Sequence, residues 1–243
     1  MRWIRRVAGS IVFGGAALAI VLALFALGRA RPQDLPWTPL DLSVPVGLFT
    51  GHKIAGLSDD LSACRAVLDR AGVRYRVLPS RRDSGTCGYD NAVRFGGGGS
   101  RRIAYSPATA GVSCPVAAGL SAWEWNVVQP AAQRIFGKKV VSVEHFGSYS
   151  CRRLYGRDQG AWSEHASANA IDIAAFRLAG GERITVARDW RGGGHKAAFL
   201  RAVRDGACDL FATVLSPDYN AAHHDHLHLD QAARGAAVWR ACR

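Results

Sequence analysis

Val7 to Gly28 is a run of 22 residues without a charged side chain, and it follows a basic flank, Met1-Arg2-Trp3-Ile4-Arg5-Arg6. A helix needs about 20 apolar residues to span the hydrocarbon core of a bilayer, whereas the apolar region of a cleaved signal peptide is about 7–15 residues long. Residues 7–28 therefore read as a transmembrane anchor and residues 1–6 as its cytoplasmic flank. The positive-inside rule keeps Arg2, Arg5 and Arg6 in the cytoplasm. The expected protein is single-pass and N-in at the cytoplasmic (inner) membrane, with its C-terminal part periplasmic or extracellular. Ala26-Leu27-Gly28 keeps a second reading open, cleavage as a signal and secretion. Both readings export the rest of the chain.

Export decides how the cysteines are read. Cys64, Cys87, Cys114, Cys151, Cys208 and Cys242 are an even set, which in an oxidising compartment predicts three disulfides. Sequential pairing is expected: Cys64–Cys87, Cys114–Cys151 and Cys208–Cys242. A zinc–thiolate site is the weaker alternative, because the chain has no C-x-x-C pair. Pro32, Pro36 and Pro39 fall within residues 29–47, and proline this frequent favours an extended tether. The formal charge is +12; residues 1–31 carry five Arg and no acid, which leaves +7 for the exported part. That charge suits an anionic wall polymer or lipid headgroups, or is simply a solvated arginine-rich surface. Export and the lack of a nucleic-acid-binding signature argue against nucleic acid as a partner.

Residues 48–243 form one medium domain, with 48–110 as a possible N-terminal subdomain. Ser58-Asp59-Asp60 starts a helix that ends near Arg70-Ala71-Gly72. Val73–Leu78 alternates like a strand, 79–84 reads as loop, and Gly96–Ser100 as a flexible turn. Pro115–Phe136 carries Leu120, Trp123, Val127, Ala131 and Ile135 at helical spacing. Lys139–His145 and Thr185–Arg188 read as strands and Lys196–Phe211 as a helix. The expected class is α+β, a small mainly antiparallel sheet flanked by helices.

Two segments carry the chemistry: Ser163-Glu-His165-Ala-Ser-Ala-Asn-Ala-Ile-Asp172-Ile173 and His223-His-Asp225-His226-Leu-His228-Leu229, which holds half of the eight histidines. Imidazole plus carboxylate is a zinc-type ligand set, and two His with one Asp leave a fourth tetrahedral position for water. Six residues separate His165 from Asp172, enough for the chain to turn and return to one metal. His226 and His228 face the same side of any strand that holds them.

The motif Ser-x-His…Ala-Ile-Asp-Ile followed by His-x-His resembles the LAS metallopeptidases, which include D-Ala-D-Ala carboxypeptidases, murein endopeptidases and the hedgehog domain. The wider run, from Gly147-Ser-Tyr-Ser-Cys-Arg152 through Ser163–Phe176 and Pro217–Asn220 to Asp230, resembles the bacterial extensin-like C-terminal domain family over about residues 48–243. Ala168 stands where that motif usually has Gly, and its Cβ disfavours a left-handed turn.

The resemblance implies a LAS/hedgehog-like fold and one zinc ion held by His165, Asp172 and His228, with His226 facing water or substrate. It implies a peptidoglycan stem-peptide substrate, cleaved as an endopeptidase; a carboxypeptidase and a non-catalytic zinc-stabilised wall-binding module are the alternatives. Asp225 takes the place of a Glu that is the base in related carboxypeptidases, so Asp225 and His226 both stand as candidate bases. Arg152 falls where related enzymes hold substrate, or is a surface Arg beside a disulfide. His223 and His224 read as loop and Asp230 as a strand-end surface residue.

Overall fold

The computed structural model describes residues 2–234 and 240–243; Met1 of the basic flank and residues 235–239 of the domain lie outside the described residues. Mostly apolar residues with no interior proline make Arg2–Ala30 one continuous helix, so the basic flank is its first turn rather than a separate segment. Within it Val12–Ala30 is long and apolar enough to cross a membrane, and none of it is buried. A signal sequence meets the same description.

The stretch 29–47 is not a free tether. Pro32–Asp34 forms a 3-10 turn. Lys53 Nζ donates to Pro32 O and Thr38 Oγ1, at 3.2 and 2.8 Å, and the Leu48 N–H donates to Asp34 Oδ1 at 2.8 Å. Leu40 and Leu42 are buried in the main core. The proline count pointed to extension, but two leucines with somewhere to bury overrode it: each fully buried apolar side chain is worth about 1.5–3 kcal/mol.

A seven-stranded, mainly antiparallel sheet organises the fold. Ala170–Leu178 is at its centre, flanked by Val140–Gly147 on one side and by Leu227–Asp230 and Arg183–Thr185 on the other. Thr213–Leu215 and Ala241–Cys242 extend one edge, and Ala104–Ser106 the other. One face of the central strand, Ile171, Ile173 and Phe176, is buried. It contributes to a core with the helices Cys114–Trp123, Gln129–Phe136 and His195–Ala207, where Phe176 lies 5.7 Å from Trp123 and 5.2 Å from Phe199. A π-turn at Glu124–Val128 joins the first two helices.

A second sheet, Val73–Val77, Ala92–Gly99 and Val112–Ser113, absorbs the glycine run expected to be a turn. Arg81–Arg82 pairs with Gly88–Tyr89 where loop was expected, and Val186–Asp189 is a short helix rather than strand. Residues 48–110 share the core with the rest: Leu68 and Val93 belong to the same cluster as Trp123 and Phe176.

All six cysteines are paired, but two of the three sequential pairings are corrected. The bonds are Cys64–Cys114, Cys87–Cys151 and Cys208–Cys242. Cys64 lies on the helix Leu61–Arg70, which packs against Cys114–Trp123, so its partner is set by helix packing and not by order in the chain. Cys87 sits in the short hairpin loop and is fastened to Cys151, beside Tyr149, whose hydroxyl donates to Asp83 Oδ2 at 2.7 Å. That bond anchors the segment leading to the first candidate ligand.

Candidate metal centre

Antiparallel register builds the site. His228 pairs directly with Asp172, while Leu227 and Leu229 pair with Ile173 and Ile171. Alternation sends the leucines and isoleucines into the core and turns His228 and Asp172 together to the opposite face. The turn Glu164–Ser167 returns His165 to them. Ser163 caps that turn by accepting from the His165 N–H at 3.3 Å. Asn169 ties it down, donating to Glu164 Oε2 at 2.6 Å and Gln231 O at 2.9 Å. Ala168 ends the turn at φ 55°, ψ 21°, the left-handed conformation a Gly would take more readily. Its carbonyl accepts from Ser113 N and Ser148 Oγ, which hold it there.

Three atoms converge. His165 Nε2 lies 3.2 Å from Asp172 Oδ1 and 3.2 Å from His228 Nδ1, and His228 Nδ1 lies 3.0 Å from Asp172 Oδ1. These three residues could hold a metal ion between them. The outward nitrogens fit that role. His165 Nδ1–H donates to Ser148 O at 2.6 Å, so a neutral ring would carry its lone pair on Nε2; His228 Nε2–H donates to Asp230 Oδ2 at 2.9 Å, so a neutral ring would carry it on Nδ1. Metal-binding histidines characteristically have such outer partners, which fix the tautomer.

The family comparison bears on the same residues. The profile described as "Extensin-like protein C-terminus" matches residues 62–243. The chain belongs to this family. No curated protein and no solved structure matches it. The matched extensin-like region begins later than the expected residue 48 and takes in His165, Asp172 and His228.

The extensin-like domain opens a cavity of about 550 Å³ over the three atoms, lined by Arg152, His165, Asp172, His223, His226 and His228 among others. His226 Nε2 stands 3.5 Å from Asp172 Oδ1. Asp225 lies behind it, its Oδ1 accepting from His226 Nδ1 at 2.8 Å, and does not itself line the cavity. Arg152 is exposed at the rim. His223, read from the sequence as loop, enters the cavity with its ring 5.2 Å from that of His226. Burial, then the charges of His226 and His228, lower its pKa to about 4. Asp230, read as a surface residue, is buried against His228. The period-two alternation His226, His228, Asp230 carried that information.

Burial alone would raise the pKa of Asp172, but hydrogen bonds from His165 and His228 outweigh it and hold the carboxyl well below its usual range. Burial alone would lower His228, but hydrogen bonds to Asp172 and Asp230 push it up to about 9. A raised histidine contributes stability that is fully present below its unfolded value of 6.5 and is lost as pH rises through about 9. A depressed carboxyl contributes stability that is present above 3.8 and is lost as pH falls toward its folded value. Chelator-treated protein should therefore resist urea best between pH 3.8 and 6.5. Its urea midpoint should fall between pH 6 and roughly pH 9.5 as the imidazolium is lost; an unchanged or rising midpoint contradicts the pairing.

Proposed function

We propose that the chain is an exported, zinc-dependent peptidase that cleaves peptide cross-links in peptidoglycan, anchored N-in by its first helix. One observation carries the reading: His165 Nε2, Asp172 Oδ1 and His228 Nδ1 converge under an open cavity, with both imidazoles held by outer partners. The His165–Asp172 turn and strand beside the strand Leu227–Asp230, which His226 leads into, also support a LAS-type fold. Two His and one carboxylate with an open fourth position is a catalytic rather than a structural zinc set. His165, Asp172 and His228 would hold the zinc, which would supply Lewis acidity there.

The chain's own residues supply the rest. Asp225 holds His226 Nδ1–H, so His226 Nε2 faces the cavity, ready to take a proton or to stabilise a developing negative charge. Arg152 at the rim is suited to a peptide carboxylate or carbonyl. Asp225 standing behind His226, rather than in the cavity, favours His226 as the reacting group.

The deciding experiment is digestion of purified peptidoglycan by the full-length protein in detergent. Released fragments with newly freed peptide termini are expected, abolished by chelator and restored by zinc. Stoichiometric zinc with no cleavage of any wall peptide would leave the domain as a binding module and end the peptidase reading.

A further inference from the structure

Among the described residues, Leu48 and Trp37 are the most exposed large apolar side chains outside the first helix, at 78% and 76%. Apolar side chains scattered singly over a surface need no explanation, but these two sit together where the chain leaves that helix. Leu35 folds back on the last turn of the helix, where a Cβ on Gly28 would lie 2.9 Å from Leu35 Cδ1. Trp37 is two residues further along the chain, so its Cα is within about 7 Å of that of Leu35. Leu48 is tied to the same turn, its N–H donating to Asp34 Oδ1 at 2.8 Å.

Almost no slack separates the helix from the domain. The helix ends at Ala30 and the 3-10 turn begins at Pro32, so Arg31 alone joins them, and one extended residue covers only about 3.5 Å. The turn is built into the domain. Gln33 is buried; its carbonyl accepts from the Phe49 N–H at 3.0 Å, its Nε2 donates to Pro39 O at 3.1 Å, and its Oε1 accepts from Lys53 Nζ at 3.3 Å. As a helix, the uncharged run Val7–Gly28 rises about 33 Å, which matches a hydrocarbon core of about 30 Å and sets Gly28 at its outer boundary. A domain held this closely cannot lift off the bilayer, and Trp37 and Leu48 are on the part of it nearest the helix exit. The charge there agrees. Arg29 and Arg31 are exposed, while Asp34 is engaged by the Leu48 N–H and lies 3.9 Å from Arg31. Tryptophan favours the membrane–water interface, and long basic side chains beside it reach lipid phosphates. Given the N-in anchor proposed above, we infer that the exported domain is seated on the outer surface of its own membrane, with Trp37 and Leu48 in the headgroup layer and Arg29 and Arg31 on lipid phosphates. The seat fixes the height of the metal centre above the bilayer.

The test uses full-length protein in nanodiscs of phosphatidylcholine and phosphatidylglycerol. All native cysteines are paired, so Leu48→Cys or Gly193→Cys adds a single site for a polarity-sensitive dye. Gly193 is exposed with open space around it. Val46 shares a small cavity with Gly206 and Asp209 at one end of the helix His195–Ala207, and Gly193 precedes the other end, about 20 Å away along its 13 residues. A phospholipid carrying a nitroxide near its glycerol ester should remove most of the emission of the Leu48 label and little of that of the Gly193 label. Trp37→Ser, added to Leu48→Cys, should restore part of the lost emission; if the double variant fails to fold, the difference between the Leu48 and Gly193 labels decides. Alkaline extraction of membranes from the expressing cells separates the anchor from the seat. Protein released by alkali ends both, whereas protein that resists extraction but is quenched equally at the two positions ends the seat alone. A folded double variant quenched as fully as Leu48→Cys overturns the inference. So does a Leu48 label that responds to protein concentration in detergent and not to the nitroxide, which would mark a contact between copies of the chain.

Discussion

His228→Ala should abolish both zinc retention and wall-peptide hydrolysis while the domain stays folded. The side chain contributes one of three converging atoms, and its truncation leaves Asp172 and His165 with a gap in place of Nδ1. The wild-type protein should carry roughly one zinc per chain, as a single mononuclear site does. Asp230→Asn gives a graded comparison: it keeps an acceptor for His228 Nε2 but loses the charge, and loss of such an outer partner typically costs about 10–100-fold in metal affinity. His195→Ala is the control, because His195 is exposed and its ring packs edge-on against Phe136, away from the three converging atoms. Metal analysis after dialysis reads all three. Equal zinc in His228→Ala and His195→Ala would falsify the ligand set.

Much of this site was legible in the chain because it depends on local periodicity. Alternation in His226-Leu227-His228-Leu229 fixes which side chains share a face, and the same rule applied two residues further would have found Asp230. The strands Ala170–Leu178 and Leu227–Asp230 and the helix His195–Ala207 follow patterns long enough to read. What could not be read depends on contacts between distant segments. Cys64 meets Cys114 because two helices pack, and nothing in the spacing of the cysteines encodes that. Ser148 acts through its backbone carbonyl, which has no side-chain signature at all. His223 belongs to a turn, and only the fold brings its ring to 6.0 Å from that of His228. The glycine run of Ala92–Gly99 misled for a related reason: pairing with Val73–Val77 supplies the order that its composition withholds.

His226→Gln should lower turnover by about 10²–10⁴-fold, the range of a lost general acid–base group, while zinc content stays at the wild-type level. The two outcomes separate because His226 lies beside the three converging atoms without belonging to their set: its Nε2 is 3.5 Å from Asp172 Oδ1, and its Nδ1 is engaged by Asp225. Gln retains a polar tip of similar reach but cannot take up a proton. Asp225→Asn should cost less, since an amide oxygen can still accept from Nδ1–H and keep the ring aimed while the charge is lost. The expected order of turnover is therefore wild type, Asp225→Asn, His226→Gln. Reversal of the two variants, with zinc intact in both, would make Asp225 the proton carrier and require the loop His223–Asp225 to reorganise so that its carboxylate reaches the cavity. If both variants turned over at the wild-type rate, no imidazole–carboxylate pair would take part, and Arg152 at the rim would be left to polarise the substrate without a partner for its proton. Single-turnover rates together with metal analysis on the same preparations distinguish the three cases.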